Sequence, residues 1–173
     1  MAKSVDLSVR AAESADLEEL ARAEGWAFGT STEDAMKWLT SVGLEHLRVA
    51  RREGRLVGGL LVIPMGQWFG GRSVPMLGIA GVAVAPEQRG RGIARSLMRA
   101  TLGEARANGV ALSALYPATL TLYRLSGYEL AGARFRFTAR LKDLPLGGRD
   151  HEVHPIEEAD RAEVEGAYQA WAR

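Results

Sequence analysis

Cysteine is absent from the 173 residues, and with it go disulfides, thiolate metal sites and any cysteine nucleophile. Histidine is scarce: His151 and His154 would point to opposite faces of an extended segment and His46 stands alone, so no metal is expected. No apolar run approaches the roughly 20 residues of a membrane span, and no basic segment leads into one near Met1. Neither charge is in surplus: 22 Lys and Arg against 21 Asp and Glu leave a net +1, which argues against nucleic acid as a partner of the whole surface. Lysine is reduced to Lys3, Lys37 and Lys142. Arginine suits bidentate phosphate contacts, although a GC-rich genome gives the same bias. What remains is 47% hydrophobic and 25% charged, a globular composition at a length suited to one domain of ordinary size. A cytoplasmic protein without a membrane span is expected.

The most informative stretch present is Gly81 to Arg99, GVAVAPEQRGRGIARSLMR. Val82, Ala83 and Val84 read as a strand buried on both faces. After the loop, Ile93, Leu97, Thr101, Leu102 and Ala105 recur at helical spacing. Between them Pro86 stops strand pairing, and Arg89-Gly90-Arg91-Gly92 removes side chains where another molecule's oxygens can approach the backbone. The first-turn N–H groups of the helix favour an anion there. Arg95 stands where the Rossmann fingerprint needs its third glycine, and the Gly-Lys-Ser/Thr of a Walker loop is missing. The pattern Arg89-x-x-Gly92-x-Ala94, preceded by Val-Ala-Val-Ala-Pro, resembles the acyl-CoA loop of the GNAT superfamily of N-acetyltransferases. A merely structural turn is the plain alternative.

The rest of the chain reads as mixed α/β. Ser4 to Arg10 is a candidate strand, and Ser14 with Asp16, Glu18 and Glu19 opens a helix that Gly25 is expected to end. Ser31 and Asp34 cap a second helix holding Ala35, Met36 and Leu39. The loop expected between them, Glu24 to Gly29, carries Trp26 and Phe28. These either shape an acceptor pocket in which Glu24 attracts a cation, or pack under the helices. Trp38 is expected in the core. His46 to Ala50 and Leu56 to Ile63 form a hairpin with a bulge or close approach at Gly58-Gly59, and Pro64 to Gly71 a further tip. Val74 to Val84 is the strand entering the loop, and Ala111 to Tyr116 lies parallel to its neighbour through a right-handed crossover. Thr119 to Leu125 is a short helix, and Phe135 and Phe137, alternating with arginines, predict a half-buried strand.

Lys142 to Asp150, rich in Pro and Gly, reads as a linker. Val153 to Asp160 then matches Val9 to Asp16 at an offset of 144, with Val, Glu, Ala and Asp in register. A period this long is a domain. The expected organisation is an acyl-CoA-binding domain over 1–141, a linker over 142–150, and over 151–173 the start of a second, truncated related domain. Chance likeness of two acid-rich helix starts is the alternative.

Three tasks follow for an acetyltransferase: holding the CoA pyrophosphate, polarising the thioester carbonyl and managing two protons. Backbone N–H groups of Arg89, Gly90, Arg91, Gly92, Ile93 and Ala94 suit the first. Unpaired amides at Val82, Ala83 and Val84 suit the second, taking pantetheine as an added strand. The segment Leu122-Tyr123-Arg124-Leu125-Ser126-Gly127-Tyr128 resembles the GNAT pattern of a tyrosine followed by Gly and an aromatic. That resemblance implies Tyr123 as the general acid beside the CoA sulfur, with Tyr128 as a packing residue; a purely structural Tyr123 is the alternative. No Asp or Glu lies between Glu53 and Glu87, where many relatives place a base.

Together with Ala114 to Thr119 and Tyr123 to Gly132, the loop resembles the enhanced intracellular survival branch of bacterial GNAT acetyltransferases. The resemblance implies the GNAT fold, a central mixed antiparallel and parallel sheet flanked by helices. It also implies acetyl-CoA as co-substrate, aminoglycoside or lysine amines as acceptors, homo-oligomers, tandem GNAT-like domains and a C-terminal carboxylate serving as base. Gly90 departs from branch members that carry another arginine there. Two readings stand: an N-acetyltransferase incomplete in these residues, and a non-catalytic acyl-CoA-binding or assembly module.

Overall fold

The computed structural model describes residues 7–144 and 154–172. Its first helix, α1 (Leu17–Phe28), grows from a capping box in which Glu13 and Asp16 satisfy each other's backbone N–H. Leu20, Ala21 and Ala23 bury its apolar side. The stop expected at Gly25 does not occur. The helix continues to Phe28 and ends on Gly29 at φ 68°, so Glu24, Trp26 and Phe28 are helical residues and no loop holds them. Gly25 serves packing instead: a Cβ there would lie 3.0 Å from the Thr30 carbonyl. Helix α2 (Thr32–Val42) starts on Ser31, whose Oγ accepts the Asp34 N–H at 3.0 Å.

Five strands form one mixed sheet in chain order: β1 (Leu7–Ala11), β2 (Leu47–Arg52), β3 (Arg55–Phe69), β4 (Arg72–Val84) and β5 (Leu112–Leu115). β1 and β2 are antiparallel, as are β2 and β3, while β4 and β5 run parallel. The register slips at Ala50/Arg51, opposite Gly58 and Leu56, the irregularity that the paired glycines suggest. A Cβ on Gly58 would come within 2.6 Å of the Ala83 carbonyl, so a side chain there would force β3 and β4 apart. The tip expected from Pro64 is shorter than read: β3 runs through Pro64, and the turn is Gly70-Gly71 at φ 54° and 80°. β2 pairs only as far as Leu61. Pro64 therefore lies on an edge where its missing N–H is tolerated.

Alternation along β2 and β3 divides the core. Val49, Leu56 and Leu61 meet Leu20 of α1 and Leu39 of α2 on one face. Ala50, Val57, Leu60 and Val62 meet Ile93, Leu97 and Met98 of α3 (Ile93–Ala107) on the other. A polar clamp fixes α1 to the sheet. Asp16, 1% exposed, accepts from Arg10 at 2.7 Å and Arg51 at 2.5 Å. Arg51 also reaches Glu19 at 2.9 Å, whose other oxygen accepts the Leu56 N–H at 3.1 Å.

Contacts group the chain into two units, one holding residues up to 67 with 73–129, the other 68–72 with the residues from 130 onward. Within the second, the strand expected around Phe135 and Phe137 is absent: 128–140 have neither helix nor strand, and the rings are 76% and 92% exposed. Alternation makes a strand only where a sheet edge pairs it and a core covers it. Leu141–Asp143 is a 3-10 turn at the start of the expected linker, of which 145–150 lie outside the described residues, as do His151 and Val153. Beyond them a second Glu157–Asp160 capping box opens α5 (Arg161–Ala172).

Candidate active site

β4 leads into the site. Its pairing with β5 ends at Ile79 opposite Leu115, and two residues later Gly81 takes a left-handed φ of 55°. From Gly81 to Val84 the strand continues without β5 beside it. Ala83 is buried but Val82 and Val84 are only half-buried, so the strand is not enclosed on both faces as its sequence suggests. No β5 pairing extends along β4 to Val82, Ala83 and Val84.

Beyond Val84 the chain turns through Pro86–Gln88 and the exposed residues Arg89, Gly90, Arg91 and Gly92. Gly90 and Gly92 both have positive φ, 72° and 77°, and a Cβ on either would meet nothing within 4 Å. Gly92 is the N-cap of α3, and no side chain caps that helix. The first-turn N–H groups of Ile93, Ala94 and Arg95 have no capping side chain, and first-turn N–H groups of this kind suit a phosphate. Arg89 turns its Nε back to the Val84 carbonyl at 3.3 Å. The sequence-predicted loop residues are therefore brought together at one end of β4.

Tyr123 lies on α4 (Leu120–Arg124), which follows β5. It is 7% exposed and packs in the cluster that contains Ile93 and Leu97 of α3. Burial pushes its phenol above the usual tyrosine range. Its ring meets that of Tyr128 edge-on at 6.3 Å. Tyr128 OH shares a 2.5 Å hydrogen bond with Ser113 Oγ, which donates to the Leu77 carbonyl at 2.8 Å. Tyr128 thereby ties the turn after α4 to β4 and β5, leaving Tyr123 as the phenol without that tether.

The third group lies against Gly81. A cavity of about 340 Å³ is lined by Glu24 and Phe28 of α1, by Thr30 between the helices, by Asp34 and Trp38 of α2, and by Gly81. Glu24 is 3% exposed and burial pushes its carboxyl up to about 8. Phe28 lines this cavity with its ring 57% exposed; Trp26, equally exposed, does not line it. Trp38, expected in the core, is 40% exposed because it walls the cavity. Asp34, Trp38 and Gly81 were not legible as pocket residues. The available signal was the four-residue spacing of Glu24 with Phe28 and of Asp34 with Trp38, which puts each pair on one helical face. Among the described residues, no cluster of acidic and histidine side chains could hold a metal, and no helix is long and apolar enough to cross a membrane.

Comparison with known proteins gives this geometry a context. A family profile described as an acetyltransferase (GNAT) domain matches residues 8–131. A GCN5-related N-acetyltransferase from Anabaena variabilis is 41% identical over 69% of this chain and 31% of its own, with a TM-score of 0.67. One from Kribbella flavida is 35% identical over 99% of this chain and 46% of its own, with a TM-score of 0.79. The chain thus spans less than half the length of either. An aminoglycoside N-acetyltransferase solved with CoA shares the fold at 17% identity, over 81% of this chain and 99% of its own, with a TM-score of 0.66. None of the curated proteins searched matches the chain.

Proposed function

The chain belongs to the GNAT acetyltransferase family, and from that premise we propose that it binds acetyl-CoA and transfers the acetyl group to a primary amine by direct attack. The observation that carries this reading is the junction of β4 and α3. A strand that has left its β5 neighbour runs into a glycine-interrupted loop and an uncapped fifteen-residue helix. Pyrophosphate oxygens suit the N–H groups from Arg89 to Ala94, and the pantetheine amides suit the open backbone of Val82 to Val84. An N–H there would polarise the thioester carbonyl. Acetyl-CoA supplies an activated acyl group and a thiolate leaving group. Tyr123, buried and fully protonated at neutral pH, is the proton donor for that thiolate.

The acceptor is a cationic amine of the aminoglycoside or lysine type. The cavity beside Gly81 combines two carboxyl groups, Glu24 and Asp34, with the aromatic walls of Phe28 and Trp38, a combination that receives an ammonium group. We assign the chain to the enhanced intracellular survival branch, with a linker after residue 141 and a second related domain beginning near 151; homo-oligomers and a cytoplasmic location go with that assignment. The shared capping geometry at Glu13 and Glu157 supports the second domain. A non-catalytic acyl-CoA-binding module is the rival reading.

Calorimetric titration with acetyl-CoA and with ATP, followed by thiol release from the full-length protein over a panel of amines, tests the assignment. Acetyl-CoA should bind and ATP should not. Tyr123→Phe should lower turnover by about 10²-fold while leaving acetyl-CoA affinity in place. Unchanged turnover in that variant removes Tyr123 as the acid, and absence of acetyl-CoA binding removes the assignment itself.

A further inference from the structure

The strand where a base is expected in this family carries no carboxylate, and the fold supplies one from a different element. Glu24 enters from α1 and lies directly against β4. A Cβ on Gly81 would be 3.0 Å from Glu24 Oε1 and 3.1 Å from Trp38 Cη2. Only glycine fits there, both because of that approach and because its φ is 55°. Gly81 also adjoins the stretch where β4 has lost β5. The carboxylate therefore stands beside the backbone assigned above to the thioester, on the wall of the cavity assigned to the amine. Asp16 and Glu19, the neighbouring acids of this helix region, are bound into the arginine clamp. Desolvation is the cause that raises the Glu24 carboxyl, with no neighbouring charge lowering it, and burying a carboxyl in this way costs free energy.

From this placement we infer that Glu24 is the proton acceptor for the incoming amine, taking the place both of a base on the central strand and of the C-terminal carboxylate that the branch resemblance implies. The inference rests on the acetyltransferase reading above. In the first step the Glu24 carboxylate removes one proton from the ammonium form of the acceptor, leaving a neutral amine and a neutral carboxylic acid. The amine nitrogen then forms its bond to the carbonyl carbon as the carbon–sulfur bond breaks. Tyr123 gives its phenol proton to the departing thiolate and is reprotonated by the second proton that nitrogen sheds as the amide forms, while Glu24 returns the ammonium proton to solvent through the cavity mouth. Burial pushes the carboxyl up to about 8, close to the working pH where a base is most effective. The other titratable group facing the cavity is Asp34 on α2, at its solvent side and hydrogen-bonded to Ser31 Oγ at 2.7 Å; β4 contributes only Gly81 to the lining.

The test uses the full-length protein and two variants, Glu24→Gln and Glu24→Asp. Parent turnover should rise with pH through about 8. E24Q should lose about 10²- to 10³-fold in kcat/KM for the amine and lose that rise, while acetyl-CoA affinity measured by calorimetry stays within about twofold. E24D should restore part of the rate together with the pH dependence. With an acceptor already neutral at pH 7, such as a hydrazide, the E24Q defect should shrink, because there is no ammonium proton to remove. Independently of turnover, carboxyl NMR of the ligand-free protein should show a group titrating near pH 8 that is missing from E24Q. An E24Q variant with the parent's pH profile, or an equal defect toward ammonium and hydrazide acceptors, overturns the inference. Failure of the parent to bind acetyl-CoA overturns the acetyltransferase reading beneath it.

Discussion

At Glu13 the backbone sits at φ −113°, ψ 164°, and at Glu157 at φ −108°, ψ 168°. Both residues form a capping box with an aspartate three positions on, followed by a 3-10 turn and a twelve-residue helix. Local sequence thus sets the same start twice, 144 residues apart. The surroundings differ. Asp16 is 1% exposed and gripped by Arg10 and Arg51, whereas Arg161 pairs with Glu158 and Glu165 on an exposed helix surface. Leu20 is 1% exposed against the sheet; its counterpart Val164 is 46% exposed, and Trp171 is 84% exposed. Capping decides where a helix begins. What the helix is worth to the fold is decided by what covers it, since most helix stability comes from packing an apolar face.

Substitutions in pairs can break this contrast. The largest difference is expected for Leu20→Ala against Val164→Ala. L20A should cost about 3 kcal/mol in denaturant unfolding, through lost burial and a cavity against Gly59, while V164A stays within about 0.5 kcal/mol. Equal effects would mean that α5 carries a buried face after all. Next comes Asp16→Asn against Asp160→Asn. D16N leaves Arg10 and Arg51 without their shared anion and should cost about 2 kcal/mol; D160N should fall within about 0.5 kcal/mol.

The smallest effect sharpens the comparison through pH. Burial alone would raise the Asp16 carboxyl, but the Arg10 hydrogen bond, the Glu13 amide and Arg51 outweigh it and hold the group below the ordinary 3.8. A lowered carboxylate stabilises the fold fully above its unfolded value, and that contribution is lost as pH falls through the folded one. Thermal midpoints of the parent should therefore decline below about pH 4 more steeply than those of D16N. Parallel declines would show that the clamp is not what holds α1 at low pH.

Sequence reading reached the parts of the molecule that depend on near neighbours. The Gly90-Gly92 loop, the Ser31 cap, the glycine bulge opposite Ala50 and the short helix carrying Tyr123 are local arrangements of turn residues and periodicity, and all are present. It failed where distant partners decide. Gly25 looks like a helix stop because glycine is a poor helix former, yet the tight return of Thr30 over α1 requires it. Trp38 looks like core because tryptophan usually is, yet the facing surface is a cavity. Phe135 and Phe137 alternate as a strand does without a sheet edge to join. Glu24 was legible as an acidic group near aromatics; its contact with Gly81, 57 residues away, exists only once α1 packs on the sheet.

The uncapped start of α3 divides attraction for an anion into two parts that ionic strength can separate. Hydrogen bonds from the first-turn N–H groups act over a few ångströms and persist in salt. The pull of the exposed Arg91 side chain acts through solvent and fades as the Debye length shortens to about 10 Å at 0.1 M. If the loop holds an anion as proposed, the directional part should dominate at cellular ionic strength, and exchange of the loop's arginines should weaken binding far less than a β-carbon on Gly92, whose φ of 77° admits few other residues. On that reading the chemistry of the cradle would reside in the course of the main chain, and the side chains around it would set mainly how fast a charged guest arrives.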